Sequence, residues 1–316
     1  MRFLASILLL VLLAPASLAP ARAKPLDVVA TTGMIADVAR AVGGDEVRVR
    51  ALMGPGIDPH SYRQTRSDIA SMLRADLVLW NGLFLEAQME EFLERLDGRV
   101  MVRAVAEAVP ERDRIAHPTY SNRADPHVWM DPALWAHAVD RVRDTLVELR
   151  PQAAETFKAN AESYKATLAT LDAYAREVVA SIPEDRRVLI TAHDAFGYFG
   201  RAYGLEVMGV QGISTDSEAG LARIGELVDL IVERGIGAVF VESSVPERNV
   251  RALIEGAAAQ GHEVAIGGEL FSDAMGPAGS YEGTYPGMID HNATVIARAL
   301  GGTVPQNGMA GALATN

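Results

Sequence analysis

Two copies of the tripeptide Asp-Pro-His, at residues 58–60 and 125–127, are the part of this chain best suited to chemistry. Histidine is the side chain that most often binds metal ions in proteins. Proline fixes φ near about −65° and stiffens the loop, so less entropy is lost when the next residue is held on a ligand. The aspartate is placed either to orient the imidazole or to cap the turn. The two elements therefore predict metal-binding loops at His60 and His127.

A third histidine, His193, follows the apolar run 188–190. Like His60 and His127, it lies where a predicted strand ends, and functional loops of parallel α/β sheets occur at the carboxyl ends of strands. The wide spacing of the three matches no short zinc motif, so it leaves open that they are ordinary strand-end histidines. The remaining histidines are predicted to lie on helix faces or in surface loops: His117, His137, His262 and His291.

Strand and helix patterns alternate along the chain, which predicts βαβ units with parallel sheets. Strands are predicted at residues 26–30, 47–53, 77–80, 100–105, 188–191, 205–210, 238–241 and 263–266. Helices between them are predicted at residues 34–42, 67–74, 83–96, 196–203, 219–234, 247–260 and 286–300. The predicted fold class is α/β, with two βα lobes and a cleft where the strand ends of both lobes meet.

A stretch without glycine, residues 133–182, separates the two groups of strands and is interrupted only by Pro151. Proline is common at the first position of a helix. We interpret residues 151–182 as one long helix of roughly 45 Å that connects the lobes; two ordinary antiparallel helices are the alternative. The predicted division is an N-terminal lobe over 24–150, the connecting helix over 151–182, a C-terminal lobe over 183–302 and a flexible tail over 303–316.

The first 23 residues have the pattern of a signal peptide, with Arg2, an apolar run over 3–13 and a small-x-small site at Ala21-Arg22-Ala23. The apolar run is shorter than the roughly 20 residues that a membrane helix needs. We therefore expect cleavage after Ala23 and a periplasmic protein that does not insert into the membrane. The chain has no cysteine, so disulfides and a thioether-linked lipid anchor are not expected.

The formal charge of −12 makes the chain a poor candidate for binding nucleic acid or anionic lipid. An acidic protein is compatible with cationic ligands, although acidity mainly favours solubility. Because thiolates are missing, the metal ligands available to this chain are histidine, aspartate and glutamate.

Several stretches beyond the Asp-Pro-His elements carry a family resemblance: residues 127–132 (HVWMDP), 191–199 (TAHDAFGYF), 211–214 (QGIS) and 270–273 (LFSD). With them the chain resembles, over essentially its whole mature length, the metal-binding solute-binding proteins of ABC importers, the TroA-like cluster (solute-binding protein family 9). The resemblance implies two βα lobes joined by one long helix, and a monomer without enzymatic activity that delivers its ion to a membrane permease.

The resemblance also implies a ligand set, namely His60, His127, His193 and Asp273. Position in the sequence alone does not select the aspartate, because Glu242, Glu269 and Asp290 are equal candidates. Asp273 is therefore predicted from the resemblance only.

The expected ion is Zn²⁺ or Mn²⁺. Mainly zinc-binding members carry a long His-rich loop where residues 110–124 hold only His117, and manganese-selective members often have glutamate in place of His193. Imidazole suits Zn²⁺, whereas a carboxylate adds a hard oxygen that Mn²⁺ accepts. Because protons compete for imidazole, affinity is expected to fall as the pH drops through about 6.5.

Other functions are compatible with parts of this pattern. An exported zinc-dependent hydrolase would use the same ligands with an open position for water and a general base. Glu242 is the candidate base, although a hydrogen bond to a ligand or a salt bridge is the other interpretation. A binder of organic solutes or siderophores needs aromatic and arginine side chains, and the chain is 6% aromatic. An adhesin is a further alternative, which the lack of a lipid anchor disfavours.

Overall fold

The structure is a computed structural model that describes residues 24–313. The signal peptide predicted over 1–23, with its cleavage site, lies outside the described residues. Within 24–313, none of the helices combines the length and the apolar character that crossing a bilayer requires.

The N-terminal lobe is built on a parallel sheet with strand order β2-β1-β3-β4. Its strands are β1 (Leu26–Ala30), β2 (Val47–Ala51), β3 (Leu77–Trp80) and β4 (Met101–Ala104). Its helices are α1 (Gly33–Gly43), α2 (Arg66–Met72) and α3 (Glu90–Leu96). All residues of β3 are buried, as expected for an apolar strand covered on both faces, whereas β2 alternates between half-buried and exposed residues.

The helix predicted over 83–96 is wrong in its first half, since α3 begins at Glu90. Leu83 and Phe84 have φ values of 55° and 66°, which a right-handed helix cannot contain. The cause is Glu86, whose fully buried carboxylate accepts hydrogen bonds from the ends of β1 and β3. Its donors are Thr31 Oγ1 at 2.6 Å, the Asn81 amide at 2.8 Å and the Gly82 amide at 3.2 Å.

The C-terminal lobe contains two parallel strand pairs that lie side by side, because β5 contacts β7. Its strands are β5 (Val188–Thr191), β6 (Glu206–Gly209), β7 (Ala238–Glu242) and β8 (Ala265–Leu270). Its helices, numbered after α4 and α5 of the central region, are α6 (Gly197–Tyr203), α7 (Leu221–Arg234), α8 (Arg248–Ala259) and α9 (Tyr285–Ala299).

The strand predicted over 263–266 is displaced toward the C-terminus. β8 continues through Gly267 and Gly268, and its register against β7 shifts there, so that Val239 pairs with Ile266 but Phe240 pairs with Gly268. Glycines inside strands often mark such bulges. The extension carries the strand to Leu270, directly before the loop that holds Asp273.

A pair of helices, α4 (Pro132–Leu149) and α5 (Ala154–Ala180), connects the lobes. Asp131 caps α4 by accepting hydrogen bonds from two amides of its first turn. A 3₁₀ turn at Pro151–Ala153 separates the two helices, which pack against each other. With 27 residues, α5 is about 40 Å long, and it contacts α1 of the N-terminal lobe as well as α6 and α9 of the C-terminal lobe. The predicted fold class, with a long helix joining two lobes, is confirmed.

The segment after α9 lies against that helix in the described part of the chain. The amides of Met309 and Ala310 donate hydrogen bonds to the Asp290 carboxylate at 2.9 and 3.4 Å, and Leu313 is buried. The flexibility predicted for residues 303–316 stays a prediction.

Candidate metal centre

Four side chains that are far apart in the sequence meet between the lobes: His60, His127, His193 and Asp273. His60 and His127 come from loops after β2 and β4 of the N-terminal lobe, whereas His193 and Asp273 lie two and three residues after the ends of β5 and β8 of the C-terminal lobe. Each offers one ligand atom, and these atoms all lie within 4.8 Å of one another. The structure thus brings together the complete set of predicted site residues.

The distances between the ligand atoms fit a tetrahedral metal ion. His60 Nε2 lies 3.3 Å from His127 Nε2. Oδ1 of Asp273 lies 3.3 Å from Nε2 of His127, whereas Oδ2 lies 3.2 Å from Nε2 of His193 and 3.7 Å from Nε2 of His60. Tetrahedral ligands with metal bonds of about 2.0–2.1 Å are about 3.3 Å apart. The space between the four groups therefore has the dimensions of a transition-metal ion.

These groups are also buried and short of hydrogen-bond partners. The exposed fractions of His60, His127, His193 and Asp273 are 2%, 0%, 0% and 2%. Within the described chain, His193 Nε2 and both carboxylate oxygens of Asp273 have no hydrogen-bond partner. A buried polar atom left in this state costs about 1–3 kcal/mol. A cation at the centre would satisfy all of these atoms, so the residues fit a bound metal.

The imidazole of His127 is oriented by Asp125. His127 Nδ1 lies 2.7 Å from Asp125 Oδ1, and the same oxygen accepts a hydrogen bond from the His127 amide at 2.9 Å. A proton held on Nδ1 leaves the lone pair of Nε2 for a metal, and such carboxylate–histidine pairs are common around metal ions.

The corresponding aspartate of the first element, Asp58, has a different role. It accepts hydrogen bonds from the backbone amide of His60 at 2.9 Å and from Ser61 Oγ at 2.9 Å, so it caps the turn instead of orienting the ring. It also accepts a hydrogen bond of 2.6 Å from the hydroxyl of Thr215, which belongs to the C-terminal lobe. Asp58 thereby links His60 to the opposite side of the cleft.

His193 is held by Glu242, at the end of β7. His193 Nδ1 lies 2.5 Å from Glu242 Oε2, and the His193 amide donates to Glu242 Oε1 at 2.8 Å. Both oxygens of this buried carboxylate are therefore occupied by one residue. The arrangement corresponds to the hydrogen-bonding interpretation of Glu242 and not to a general base facing solvent.

The other acidic candidates and the remaining histidines lie outside this cluster. Glu269 is exposed on β8, and Asp290 is buried on α9, where it binds residues after that helix. His117 Nδ1 accepts hydrogen bonds from two amides of its own loop. The rings of His262 and His291 bind backbone carbonyls.

The carboxylates around the centre control the protonation of its histidines. Burial lowers the pKa of His60 to about 4, although the negative charge of Asp273 acts to raise it. Burial also disfavours the charged form of His127, but Asp125 and Asp273 outweigh it and raise its pKa to about 9. Glu242 and Asp273 likewise raise the pKa of His193 well above its usual value. Burial opposes the ionised form of Asp273, yet the histidines hold its pKa well below the usual range.

Metal binding is expected to release protons at pH 7. A metal needs the lone pair of Nε2, and the raised pKa values of His127 and His193 mean that both rings carry an extra proton in the metal-free protein. Metal affinity should therefore increase with pH up to about pH 9. With unperturbed histidines the increase would end at about pH 6.5. Calorimetry in buffers of different ionisation enthalpy should show release of about two protons per ion. A binding enthalpy independent of the buffer would contradict this prediction.

Replacing Glu242 with glutamine should weaken metal binding by about 10- to 100-fold, the usual effect of losing the partner of a metal-bound histidine. A glutamine has one accepting oxygen, whereas His193 donates to two oxygens of Glu242. Titration against a chromophoric chelator measures the change. The matched control is Glu247→Gln, since the Glu247 side chain is 48% exposed and forms a surface ion pair with Arg251. Equal effects of the two substitutions would argue against a role of Glu242 in the site.

Comparisons with known proteins agree with this geometry. The chain matches the ZnuA family, described as the periplasmic component A of the zinc-uptake complex, over residues 28–299. It is 49% identical over 275 residues to the manganese-binding lipoprotein MntA of Bacillus subtilis, which covers 87% of this chain and 90% of that protein. It is 48% identical over 282 residues to the zinc-binding protein TroA of Treponema pallidum, with coverage of 89% and 91%.

More distant relatives and solved structures extend the comparison. The iron-binding protein YfeA of Yersinia pestis is 32% identical over 281 residues, 88% of each chain. The solved structure of the periplasmic zinc-binding protein TroA from Treponema pallidum superposes with a TM-score of 0.85 at 47% identity, covering 88% of this chain and 99% of that one. On these matches, the chain belongs to the ZnuA family, the cluster 9 solute-binding proteins that it was expected to resemble.

Proposed function

We propose that this protein is a periplasmic solute-binding protein that captures one divalent transition-metal ion and delivers it to the permease of an ABC importer. The observation that carries the proposal is the convergence of His60, His127, His193 and Asp273 on a buried space of ionic size. Membership of the ZnuA family supports the transport role. In this role the ion is cargo, held by the four side chains and released unchanged.

The mechanism follows from the origin of the ligands. Because each lobe contributes two of them, only the closed cleft surrounds the ion, and the ion favours closure through its higher affinity for that state. Hydrogen bonds across the cleft complete the closed form, among them Thr215 to Asp58 at 2.6 Å and the Tyr198 hydroxyl to the Asp125 carbonyl at 2.9 Å. We infer that the long helix α5 restricts the opening to a small motion, because it packs against both lobes.

Zn²⁺ or Mn²⁺ is the proposed cargo. Three imidazoles favour Zn²⁺, which also binds to most such sites more tightly than Mn²⁺ does. The carboxylate of Asp273 adds a hard oxygen that Mn²⁺ accepts. The names of the relatives do not separate the two ions, since MntA and TroA are 49% and 48% identical to this chain. Metal supply and coordination geometry then decide which ion is transported.

The alternative of a zinc-dependent hydrolase receives no support from the site or from the relatives. A catalytic zinc keeps one position open for water, whereas here four protein groups surround the centre. Glu242, the candidate base, is bound through both oxygens to His193. We therefore assign a binding function and propose that the protein is not an enzyme.

The remaining predictions about the chain become part of the proposal. We propose that a signal peptide over 1–23 is removed and that the mature protein acts as a monomer. The domain division is proposed as 24–150 for the N-terminal lobe, 151–182 for the connecting helix and 183–302 for the C-terminal lobe. Each lobe so defined contains two of the ligands.

The test of the function is a competition titration of the metal-free protein with Zn²⁺ and Mn²⁺. We expect one ion per chain and a dissociation constant below about 1 μM for at least one of the two metals. Binding of both ions weaker than micromolar would refute the proposal. Metal analysis of the protein purified from its native compartment then identifies the cargo.

A further inference from the structure

Trp129 joins the two halves of the metal centre. It lies two residues after His127, in the 3₁₀ turn Val128–Met130, and is 1% exposed. Its ring is 5.1 Å from the ring of His127, edge to face. Its indole Nε1 donates a 2.9 Å hydrogen bond to the backbone carbonyl of Ser272, the residue before Asp273. One side chain of the N-terminal lobe thus touches a ligand of its own lobe and the loop that carries a ligand of the other.

Hydrogen bonds from both lobes hold the backbone of the loop before Asp273. Around the carboxylate oxygens of Asp273 lie the other three ligands, with His193 Nε2 at 3.2 Å and His127 Nε2 at 3.3 Å, so the backbone of residues 271 and 272 decides how far Asp273 reaches toward them. From its own lobe, Asn292 holds that backbone by accepting from the amide of Phe271 at 2.9 Å and donating to its carbonyl at 2.7 Å. From the opposite lobe, Trp129 holds it through the Ser272 carbonyl.

The backbone of Trp129 is itself anchored to the C-terminal lobe. Its carbonyl accepts a 2.7 Å hydrogen bond from the hydroxyl of Tyr285, the first residue of α9. Tyr285 is fully buried, and its amide lies 3.3 Å from Asp37 Oδ2 of α1. Trp129 therefore takes part in hydrogen bonds across the cleft through both its side chain and its backbone.

We propose that Trp129 is a positioning residue that places Asp273 when the lobes close. The inference rests on the proposed function, because it concerns how tightly the closed protein retains its ion. The indole bond crosses the cleft, so it can form only when the lobes are together. Trp129 should accordingly slow the release of metal, with little effect on the rate of capture.

The chain offers a matched control for this role. Trp135 is also fully buried, and it stacks against Tyr285 with ring centroids 5.9 Å apart. Unlike Trp129, its Nε1 has no hydrogen-bond partner within the described chain. Trp129→Phe and Trp135→Phe therefore remove the same atoms from the buried core, but only the first removes a hydrogen bond across the cleft.

The experiment measures metal capture and release by stopped-flow with the full-length mature protein, using Zn²⁺ and a chelator in excess. We expect Trp129→Phe to release Zn²⁺ about 10-fold faster than the wild type, because the buried Ser272 carbonyl loses its donor. Capture should change by less than about twofold. Trp135→Phe should release Zn²⁺ at the wild-type rate, because it removes an indole N–H that has no partner within the described chain.

The outcomes separate this inference from the proposed function. Equal release rates for Trp129→Phe and Trp135→Phe, with tight binding by the wild type, would overturn the role of Trp129 and leave the metal-carrier function intact. A wild-type protein that retains neither Zn²⁺ nor Mn²⁺ would overturn the function and this inference together.

Discussion

Replacing His127 with alanine is expected to weaken metal binding by more than about 100-fold, beyond the range typical of partners outside the ligand set. The substitution removes a ligand atom that lies 3.3 Å from both His60 Nε2 and Asp273 Oδ1. It also leaves the buried carboxylate of Asp125 without the imidazole that it binds at 2.7 Å. Equilibrium dialysis followed by metal analysis measures the loss directly.

The control for this prediction is His117→Ala. His117 lies in a surface loop, and its Nδ1 accepts hydrogen bonds from neighbouring amides at 3.1 and 3.3 Å. We expect its replacement to leave affinity and stoichiometry unchanged. Equal losses in the two variants would mean that the metal binds elsewhere in the protein.

Replacing Asp273 with alanine should have an effect of similar size. Asp273 supplies the only carboxylate among the four proposed ligands and contacts the Nε2 atoms of all three histidines. Its removal takes away a negative charge that raises the pKa of His127 and His193. Residual metal binding should therefore release fewer protons at pH 7 than binding by the wild type.

Glu269→Ala is the matched control for Asp273→Ala. Glu269 is an acidic residue of the same C-terminal segment, but it is exposed on β8. Calorimetry on both variants should show binding by Glu269→Ala like that of the wild type. Unchanged affinity of Asp273→Ala would exclude this carboxylate from the ligand set.

The loops that hold the three histidines could be predicted from the sequence because the residues that indicate each loop are neighbours in the chain. The Asp-Pro-His elements, and the apolar run before His193, contain both the ligand and the residues that shape its loop. Even so, the two aspartates act differently: Asp125 orients an imidazole, whereas Asp58 caps a turn and binds Thr215. The tripeptides are identical, and in both the aspartate accepts a hydrogen bond from the amide of the histidine, so the sequence does not distinguish the two roles.

The pairs formed across long sequence separations were not predictable in the same way. Other acidic residues were equally good candidates for the carboxylate ligand by their position in the sequence, and Asp273 was predicted only from the family resemblance. Glu242 lies 49 residues from His193, and its role depends on β7 lying beside β5. A signal did exist, because both residues follow predicted strands, and the carboxyl ends of parallel strands meet at one edge of a sheet.

The helix predicted over 83–96 begins later than expected for a physical reason that the spacing of apolar residues does not reveal. Residues 83–96 have apolar residues at helical spacing, but the buried carboxylate of Glu86 binds the ends of two strands and bends residues 83 and 84 to positive φ. The hydrogen bonds that this buried carboxylate needs outweigh the preference of the segment for a helix. In β8, the bulge at Gly267 and Gly268 similarly hides the continuation of the strand.

The most direct test of a metal centre built from both lobes is the crystal structure of the protein loaded with Zn²⁺, with the ion located by anomalous diffraction. We predict one peak between His60, His127, His193 and Asp273, with metal–nitrogen distances of about 2.0–2.1 Å and a metal–oxygen distance of about 2.0–2.2 Å. An ion bound away from these side chains, or a structure in which His60 or His193 lies beyond coordination distance, would contradict the account.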